Sequence, residues 1–533
     1  MKKYILLSAV AVVAGLVMTS CVNDLNVTPI DPNLSLPDEV LNSVSAYEQV
    51  LAKCYQGLSC SASKGPDSDP DIQGIDGGFG QYMRALFYLN ELPTDEASTC
   101  WNDQTIHSLH GLSWSTSDVF VSAMFARIYY QIGLCNEFIR RSEASKFADN
   151  DTMKVYIAEA RALRALSYYH AIDMFGNVPF ATEKNSLGST GPEQISRKNL
   201  YDWLVGEIID FTPDLKAVGT NEYGRVDQGF GHILLAKMYL NSEVYTDGEE
   251  KDFGKCVTMC KQVIGEYPDL QKNWQSNFMA DNNTSSEIIF AAESDGVNTQ
   301  SYGGTNFVIK ASIVSGNSEW QDALGMNDGW GGLVVTPEFI DSFDDKDSRK
   351  MFTDASEFLD PNSEDYDAQV HSKDIIDDKL FTSGYCSMKF TNRTSDGGYG
   401  SALNFPDTDY PVFRTADAYL MLPEAEIREN GSVSADGLAA FNAVHTRAGL
   451  TAVNTVTLDQ ILKERGHEFY FENFRRSDLI RFGKFTTSDY LWEWKGGVYE
   501  GEAVDSHYKL FPIPSGEINA NSNLQQNPGY TKK

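Results

Sequence analysis

The sequence predicts a mainly α-helical fold in which tetratricopeptide-like helix pairs form a scaffold for long loops, with few short strands. Three observations predict it. Helical periodicity governs several stretches, these stretches fall in pairs joined by turns, and two long intervals, about residues 60–118 and 275–413, are irregular. Intervals of that length inside a compact body are uncommon and tend to carry function.

The chain opens with Lys2 and Lys3, an apolar run from Ile5 to Val17, and the small polar pair Thr19 and Ser20 before Cys21. This is the layout of a secretory signal, too short to be a stable membrane span. A cysteine at the cut site points to a lipoprotein, with residues 1–20 removed as the signal peptide and acyl chains carried by Cys21. The alternative is a plainly secreted protein in which Cys21 is incidental, and Met18 stands where Leu is more usual in the lipoprotein pattern. Residues 21–37 include Pro29 and Pro32, lack a period, and read as an extended leader from membrane to body. No later apolar run is long enough to span a bilayer.

The helices follow from spacing. Within Tyr156–Met174, Ala158, Ala162, Ala165, Tyr169 and Ile172 recur every three or four residues and make one apolar stripe. Its small residues let a second helix approach closely, Gly176 stops it, and Pro179 lies beyond. Gly231–Leu240 and Phe253–Tyr267 form a pair closed by Pro268; Thr415–Asn430 and Leu438–Ala448 form another about Gly431. Pro423 predicts a kink in the latter. The 275–413 interval mixes short apolar strands such as Glu287–Ala291 with glycine turns.

With 42% hydrophobic residues, the chain of 533 has ample material for a large core. Its net charge is −32; removing residues 1–20 takes away Lys2 and Lys3 and no acid, leaving −34. A phosphate backbone would be repelled over most of such a surface, which excludes nucleic acid and favours an uncharged or cationic partner. The eight cysteines (Cys21, Cys54, Cys60, Cys100, Cys135, Cys256, Cys260 and Cys386) contain no CxxC pair. No disulfide framework is expected, the alternative being one incidental bridge, for instance Cys54–Cys60. Cys256 and Cys260 share a helix face and read as small core residues.

Catalytic motifs are missing: GxSxG, HExxH, the phosphate-cradling glycine loop and the dinucleotide fingerprint are all absent. His107 and His110 could share a helix face as metal ligands, but no third ligand is indicated. Glu464, Arg465, Glu468, Glu472, Arg475, Arg476, Asp478 and Arg481 alternate in charge at three- and four-residue spacing. That pattern reads as interlocking ion pairs that keep carboxylates ionised, the opposite of a poised general acid. Asp95 and Glu96 are adjacent in an extended stretch, point opposite ways, and make a poor facing pair for glycoside hydrolysis.

The irregular intervals do hold aromatic residues among glycines and small polar side chains: Trp101 before Asn102-Asp103, Tyr302 in Tyr-Gly-Gly, and Trp330 in Gly-Trp-Gly-Gly. A bulky ring flanked by glycine has little beside it to cover both faces. An open ring suits stacking on the C–H face of a pyranose, while nearby Arg, Asn and Asp orient hydroxyls. Taken singly, each ring reads by default as the plug of a loop core.

Asn90-Glu-Leu-Pro-Thr-Asp-Glu96, Phe405-Pro-Asp-Thr-Asp-Tyr-Pro411, Arg475-Arg-Ser-Asp-Leu-Ile-Arg-Phe-Gly483, Leu491-Trp-Glu-Trp-Lys-Gly-Gly497, Phe511-Pro-Ile-Pro514 and Asn527-Pro-Gly-Tyr530 resemble the SusD/RagB family. The resemblance runs from Cys21 to the C-terminus and is strongest to the starch-binding founder, since loop segments match as well as scaffold. It implies a single domain over 38–533 built on four tetratricopeptide-like helix pairs. It also implies a lipid-anchored, cell-surface, outer-membrane protein without enzymatic activity that captures starch or maltooligosaccharides and delivers them to a SusC-like TonB-dependent transporter. By the same resemblance Trp101, Tyr302 and Trp330 form an arc for a curved α-glucan, and Arg84 bonds sugar hydroxyls. The family asparagine after the first tryptophan has no clean counterpart, so Asn102 or Asp103 takes that role. Residues 69–80, with Asp76 and Phe79, match a mobile lip over the site. No cofactor is implied, and a structural calcium among loop acids such as those near Asp281 is left open. The competing functions are binding of another polysaccharide, an exported glycoside hydrolase, and an adhesin for host glycans.

Overall fold

The first well-buried element lies inside an interval expected to be irregular. Helix α1 (Tyr82–Asn90) is covered on every side, and its sequence, Tyr-Met-Arg-Ala-Leu-Phe-Tyr-Leu-Asn, is apolar or aromatic apart from Arg84 and Asn90. The computed structural model describes residues 40–531 apart from 63, 67, 104 and 186–190, so Cys21, the signal and most of the leader lie outside the described residues. The chain divides into two units at Val50/Leu51, and everything below concerns Leu51 onward.

After β1 (Ser98–Thr99) the scaffold helices follow: α2 (Val119–Glu143), α3 (Asp151–Phe175), α4 (Arg197–Phe211), α5 (Gln228–Leu240) and α6 (Phe253–Glu266). Each starts where a short polar side chain can satisfy the first free N–H groups, except α6. Asp118 accepts from Phe120 and Val121 N–H, Asn150 from Thr152 and Met153, Ser196 from Asn199, and Asp227 from Gly229. Such caps contribute about 1 kcal/mol each. Gly176 ends α3 with φ +68°, a conformation costly for any residue bearing a Cβ. The predicted stripe of α3 is buried, and so is nearly everything from Ala162 to Phe175, because α2 packs on one side and α4 on the other.

The chain then leaves the scaffold and returns. Strand β2 (Ile288–Ala292), helix α7 (Gly304–Ala311), strand β3 (Leu333–Val334) and strand β4 (Tyr410–Arg414) belong to this excursion, which ends in α8 (Thr415–Asn430), α9 (Ala435–Arg447), α10 (Leu458–Phe469) and α11 (Arg475–Arg481). Antiparallel pairing of β2 with β4 closes its base, and α8 packs directly on α6. Consecutive helices from α2 to α6, then α8 and α9, thus stack in chain order, with residues 267–414 inserted between neighbours. The fold is mainly helical with a few short strands, as expected. Helix α8 runs unbroken through Pro423, since packing on both sides holds it; Gly431 ends it at φ +75°.

The alternating charges near the C-terminus are buried ion pairs. Arg414 bonds Glu287, Glu468 (3.0 Å) and Glu472 (2.7 Å); Arg349 bonds Asp347 (2.8 Å), Glu464 (2.8 Å) and Glu468 (3.1 Å); Arg447 reaches Glu287 (2.7 Å) and Glu468 (2.5 Å). Arg465 joins Asp417 to Asp478, both at 2.7 Å. Burial works to raise the Glu468 carboxyl, but Arg447, Arg414 and Arg349 outweigh it and hold it down at about 2. Asp95, far from any catalytic role, accepts both arms of Arg475 at 2.7 Å and the Tyr490 hydroxyl at 2.6 Å. This ties the loop before β1 to α11 across the length of the sequence.

Glu96 behaves differently. It lies against Glu91 in full burial, and burial pushes its carboxyl up to about 8 despite the pull of Arg475. The Glu91 carboxyl is raised too, first by burial and then by Glu96. The folded pair therefore keeps a proton that the unfolded chain releases above about 4.5, so stability falls as pH rises from there to about 8. Glu468 acts in the opposite sense: its contribution is present above the unfolded value and lost as pH falls towards about 2. Glu96→Gln is expected to raise the melting temperature at about pH 8 while changing it little at about pH 5. Thermal melts at the two pH values check this, and an equal shift at both would contradict a shared proton.

Candidate functional site

The site is built on the end of α7. The last carbonyls of a helix have no partner within it, and here the Gly-Trp-Gly-Gly loop runs back along them. Trp330 N–H donates to Lys310 O (2.7 Å), Gly331 N–H to Ile313 O (2.7 Å) and Gly332 N–H to Ala311 O (2.8 Å). A Cβ on Gly329 would stand 2.4 Å from Ile313 O, so only glycine permits the approach. Strand β3 then pairs with β1, and Cys100 N–H donates to Gly332 O at 2.9 Å. That pairing brings Trp101 onto the loop, where its Nε1–H donates to Gly331 O (2.8 Å).

A Cβ on Gly332 would lie 2.2 Å from the Trp101 indole. Gly332→Ala is accordingly expected to displace that ring and weaken affinity for the oligosaccharides the sequence resemblance implies about tenfold or more, with titration calorimetry as the check; unchanged affinity would show that Trp101 is not a contact.

Tyr302 enters from the turn before α7, its ring centroid 5.9 Å from Trp330 at 70° and 5.9 Å from Phe405. Trp101, Tyr302 and Trp330 are all half-buried, so none is a core plug. Arg84 on α1 sits behind them. Its guanidinium carbon is 5.5 Å from the Trp101 ring centroid and 5.3 Å from that of Trp330. Nε donates to the Tyr88 hydroxyl (2.9 Å), and Nη1 to Gly78 O (2.6 Å) and Tyr302 O (3.1 Å). Nη2 has no protein partner among the described residues, which leaves its two N–H groups for a ligand.

These residues line one cleft of about 830 Å3. All six predicted residues, Arg84, Trp101, Asn102, Asp103, Tyr302 and Trp330, border it; Asn102 and Asp103 are exposed at its edge. Gly78, Lys310, Asp328, Asn404 and Phe405 border it as well and were not singled out. Lys310 lies 5.6 Å from both the Trp330 and Phe405 rings and 3.8 Å from Asp328. Burial lowers the Lys310 ammonium, partly offset by Asp328. A lysine in the last turn of a short apolar helix was the one available signal for it. Asn404 had none, and Phe405 only its place at the start of a segment that carries the resemblance.

The lip residues lie apart. Asp76 accepts from Gly78 N–H (2.6 Å), and Gly80 N–H donates to Asp76 O (2.9 Å), making a tight turn that puts Gly78 at the cleft. Phe79 turns the other way and packs on Phe120, centroids 4.9 Å apart, so the ring expected over the site does not line it. Phe120 also holds Tyr88 at 4.9 Å, which makes an apolar seat for Phe79.

The remaining candidates are structural. His110 is buried between Leu92 O (2.7 Å) and Glu493 O (2.9 Å), and His107 pairs with Asp378 at 3.2 Å. Asp281 accepts from Ser395 N–H at 2.9 Å. Among the described residues no three His, Cys, Asp or Glu side chains gather as metal ligands. Seven cysteines are buried and free, Cys54 and Cys60 included. No described helix is long and apolar enough to cross a membrane.

Comparison with known proteins places this geometry. Residues 373–530 match the model of the SusD family. The chain is 34% identical to the starch-binding protein SusD of Bacteroides thetaiotaomicron over 96% of each chain. Among solved structures, a SusD superfamily protein from Parabacteroides distasonis aligns with a TM-score of 0.71 at 21% identity, covering 93% of this chain and 100% of that one. Surface glycan-binding protein A of Bacteroides thetaiotaomicron, solved with laminarihexaose, aligns with a TM-score of 0.69 at 21% identity over 91% and 99%. On this likeness of sequence and fold the chain belongs to the SusD family of non-catalytic glycan-binding proteins.

Proposed function

We propose that the cleft captures starch and maltooligosaccharides at the cell surface and that the protein passes them to a SusC-like TonB-dependent transporter. The observation that carries the reading is the meeting of Trp101, Tyr302 and Trp330 around the Arg84 guanidinium in one open cleft. Tyr302 and Trp330 are turned 70° to one another, so a chain that stacks on both must bend. A straight β-1,4 chain does not. Helical α-glucans and β-1,3-glucans both bend, and similarity to a starch-binding protein at 34% identity favours the former over the laminarihexaose bound by a structural neighbour at 21%.

Binding comes from stacking and from hydroxyls held by Arg84 Nη2, Asn102 or Asp103, and Asn404. The anionic surface does not oppose a neutral glycan. Residues 69–80 act as a lip that closes on the bound chain. Cys21, exposed by loss of residues 1–20, carries the acyl chains that anchor the protein in the outer membrane, and residues 21–37 tether the single domain that follows. Titration calorimetry with maltoheptaose, laminarihexaose and cellohexaose tests the specificity: the first is expected to bind most tightly and the last least. A preference for laminarihexaose would overturn the starch assignment. Cys21→Ala is expected to release the folded protein from membranes in cells lacking the transporter; a fully membrane-bound variant on fractionation would contradict lipidation there.

A further inference from the structure

A second cavity, of about 950 Å3, lies behind the cleft. Val314–Ser315 and the Gly329–Gly332 loop stand between them. Ser315, which lines the cavity, donates to the Asp328 carboxylate of the cleft at 3.4 Å. Phe381, another lining residue, lies against Gly331, where a Cβ would stand 3.1 Å from its ring. Gly331 is also the residue whose carbonyl oxygen accepts from Trp101. The two spaces thus share one wall.

The lining has the chemistry of a sugar site. Trp320 forms the centre of an aromatic stack, near-parallel to Phe358 (5.5 Å, 9°) and to Phe381 (6.3 Å, 18°). Phe358, Phe381 and Tyr366 are half-buried, with surface left to contact a ligand. The Trp320 side chain is 1% exposed, yet its Nε1–H has no acceptor among the described residues, an expensive omission for a buried donor. His371, 4% exposed, donates from Nδ1 to Gly384 O at 2.8 Å, so Nε2 of the neutral ring is an acceptor. Ser318, Gln369 and Thr382 add hydroxyl and amide groups, the exposed carboxylates of Glu319 and Asp360 at the lining can accept sugar hydroxyls, and no lysine or arginine lines the space. An anion finds no counter-charge there. A neutral, polyhydroxylated ring satisfies both the aromatic faces and the unpaired donor.

We propose that this cavity is a second binding site for a neutral pyranose unit, back to back with the cleft. Its ligand class rests on the glycan-binding reading, though not on the choice of starch over other glucans. Two sites on one protein let separate segments of a branched or folded polysaccharide engage together, so long chains gain avidity over short ones without any new contact in the cleft.

The test follows the indole Nε1–H resonances of the purified full chain labelled with 15N-tryptophan, the Trp320 signal being identified by Trp320→Phe. In a Trp330→Ala background, which weakens the cleft roughly ten- to a hundredfold, maltotriose, laminaritriose and cellotriose are titrated in turn. At least one is expected to shift the Trp320 signal saturably, and adding Tyr366→Ala, a half-buried side chain outside the core, is expected to weaken that response about tenfold. A Trp320 signal unmoved by all three sugars, while the wild-type cleft still binds one, would sink the second site and leave the cleft standing. A Trp320 shift in a protein whose wild-type form shows no binding at Trp101 and Trp330 would do the reverse. A Trp320 response unaffected by Tyr366→Ala would also overturn the assignment of this cavity.

Discussion

Arg414→Met is expected to destabilise the protein by about 3–5 kcal/mol, more than any single change in the cleft. Arg414 is 1% exposed and is shared by Glu287, Glu468 and Glu472, with Arg447, Arg349 and Lys389 supplying the rest of the positive charge around those carboxylates. Methionine fills similar space but leaves buried negative charge uncompensated, and that cost is far larger than the net worth of an intact pair. Folded molecules should still bind glycan normally, because no member of the network borders the cleft. Denaturant unfolding gives the stability and calorimetry the affinity. A variant as stable as wild type would mean that the remaining arginines redistribute to cover the loss.

Trp330→Ala is expected to show the opposite pattern: glycan affinity falls by roughly ten- to a hundredfold, about 1–3 kcal/mol, with the melting temperature nearly unchanged. Trp330 is half-buried and makes an edge contact with Tyr302, and its backbone, which carries the hydrogen bond to Lys310 O, is kept by alanine. Were it a core plug, truncation would cost about 3–5 kcal/mol of stability instead. Trp101→Ala and Tyr302→Ala should each lose affinity as well, and pairing either with Trp330→Ala should give a non-additive loss, since Trp101 and Trp330 share the Arg84 guanidinium and Tyr302 meets Trp330 edge-on. A much lower melting temperature with unaltered affinity per folded molecule would overturn the platform.

Helices were legible in the sequence where one face meets water, as in α6, or where a glycine marks the end, as in α8. Predicted Thr415–Asn430 and Phe253–Tyr267 agree with α8 and α6 to within one residue. Helix α1 was hidden because its nine residues are too few for a helical period to repeat. The charge alternation over Glu464–Arg481 disclosed that ion pairs form, while Arg349, Arg414 and Glu287, their partners, come from distant segments that only the folded chain brings together. The same holds for the cleft. Aromatics beside glycines announced Tyr302 and Trp330, since close backbone approach demands glycine and leaves a ring uncovered, while Trp101 stood out among small polar residues. Lys310 reaches the cleft from the last turn of a short apolar helix, its one signal, and Asn404 from a remote loop with no local pattern to mark it. Phe79 was placed over the site, yet Phe120, forty-one residues on, offers it a more apolar seat.

The most direct measurement is a crystal structure of the protein with maltoheptaose. The account predicts a curved chain in the cleft, with glucose rings stacked on Trp101, Tyr302 and Trp330 and hydroxyls within hydrogen-bond reach of Arg84 Nη2. Oligosaccharide bound elsewhere, with these three rings bare, would contradict it.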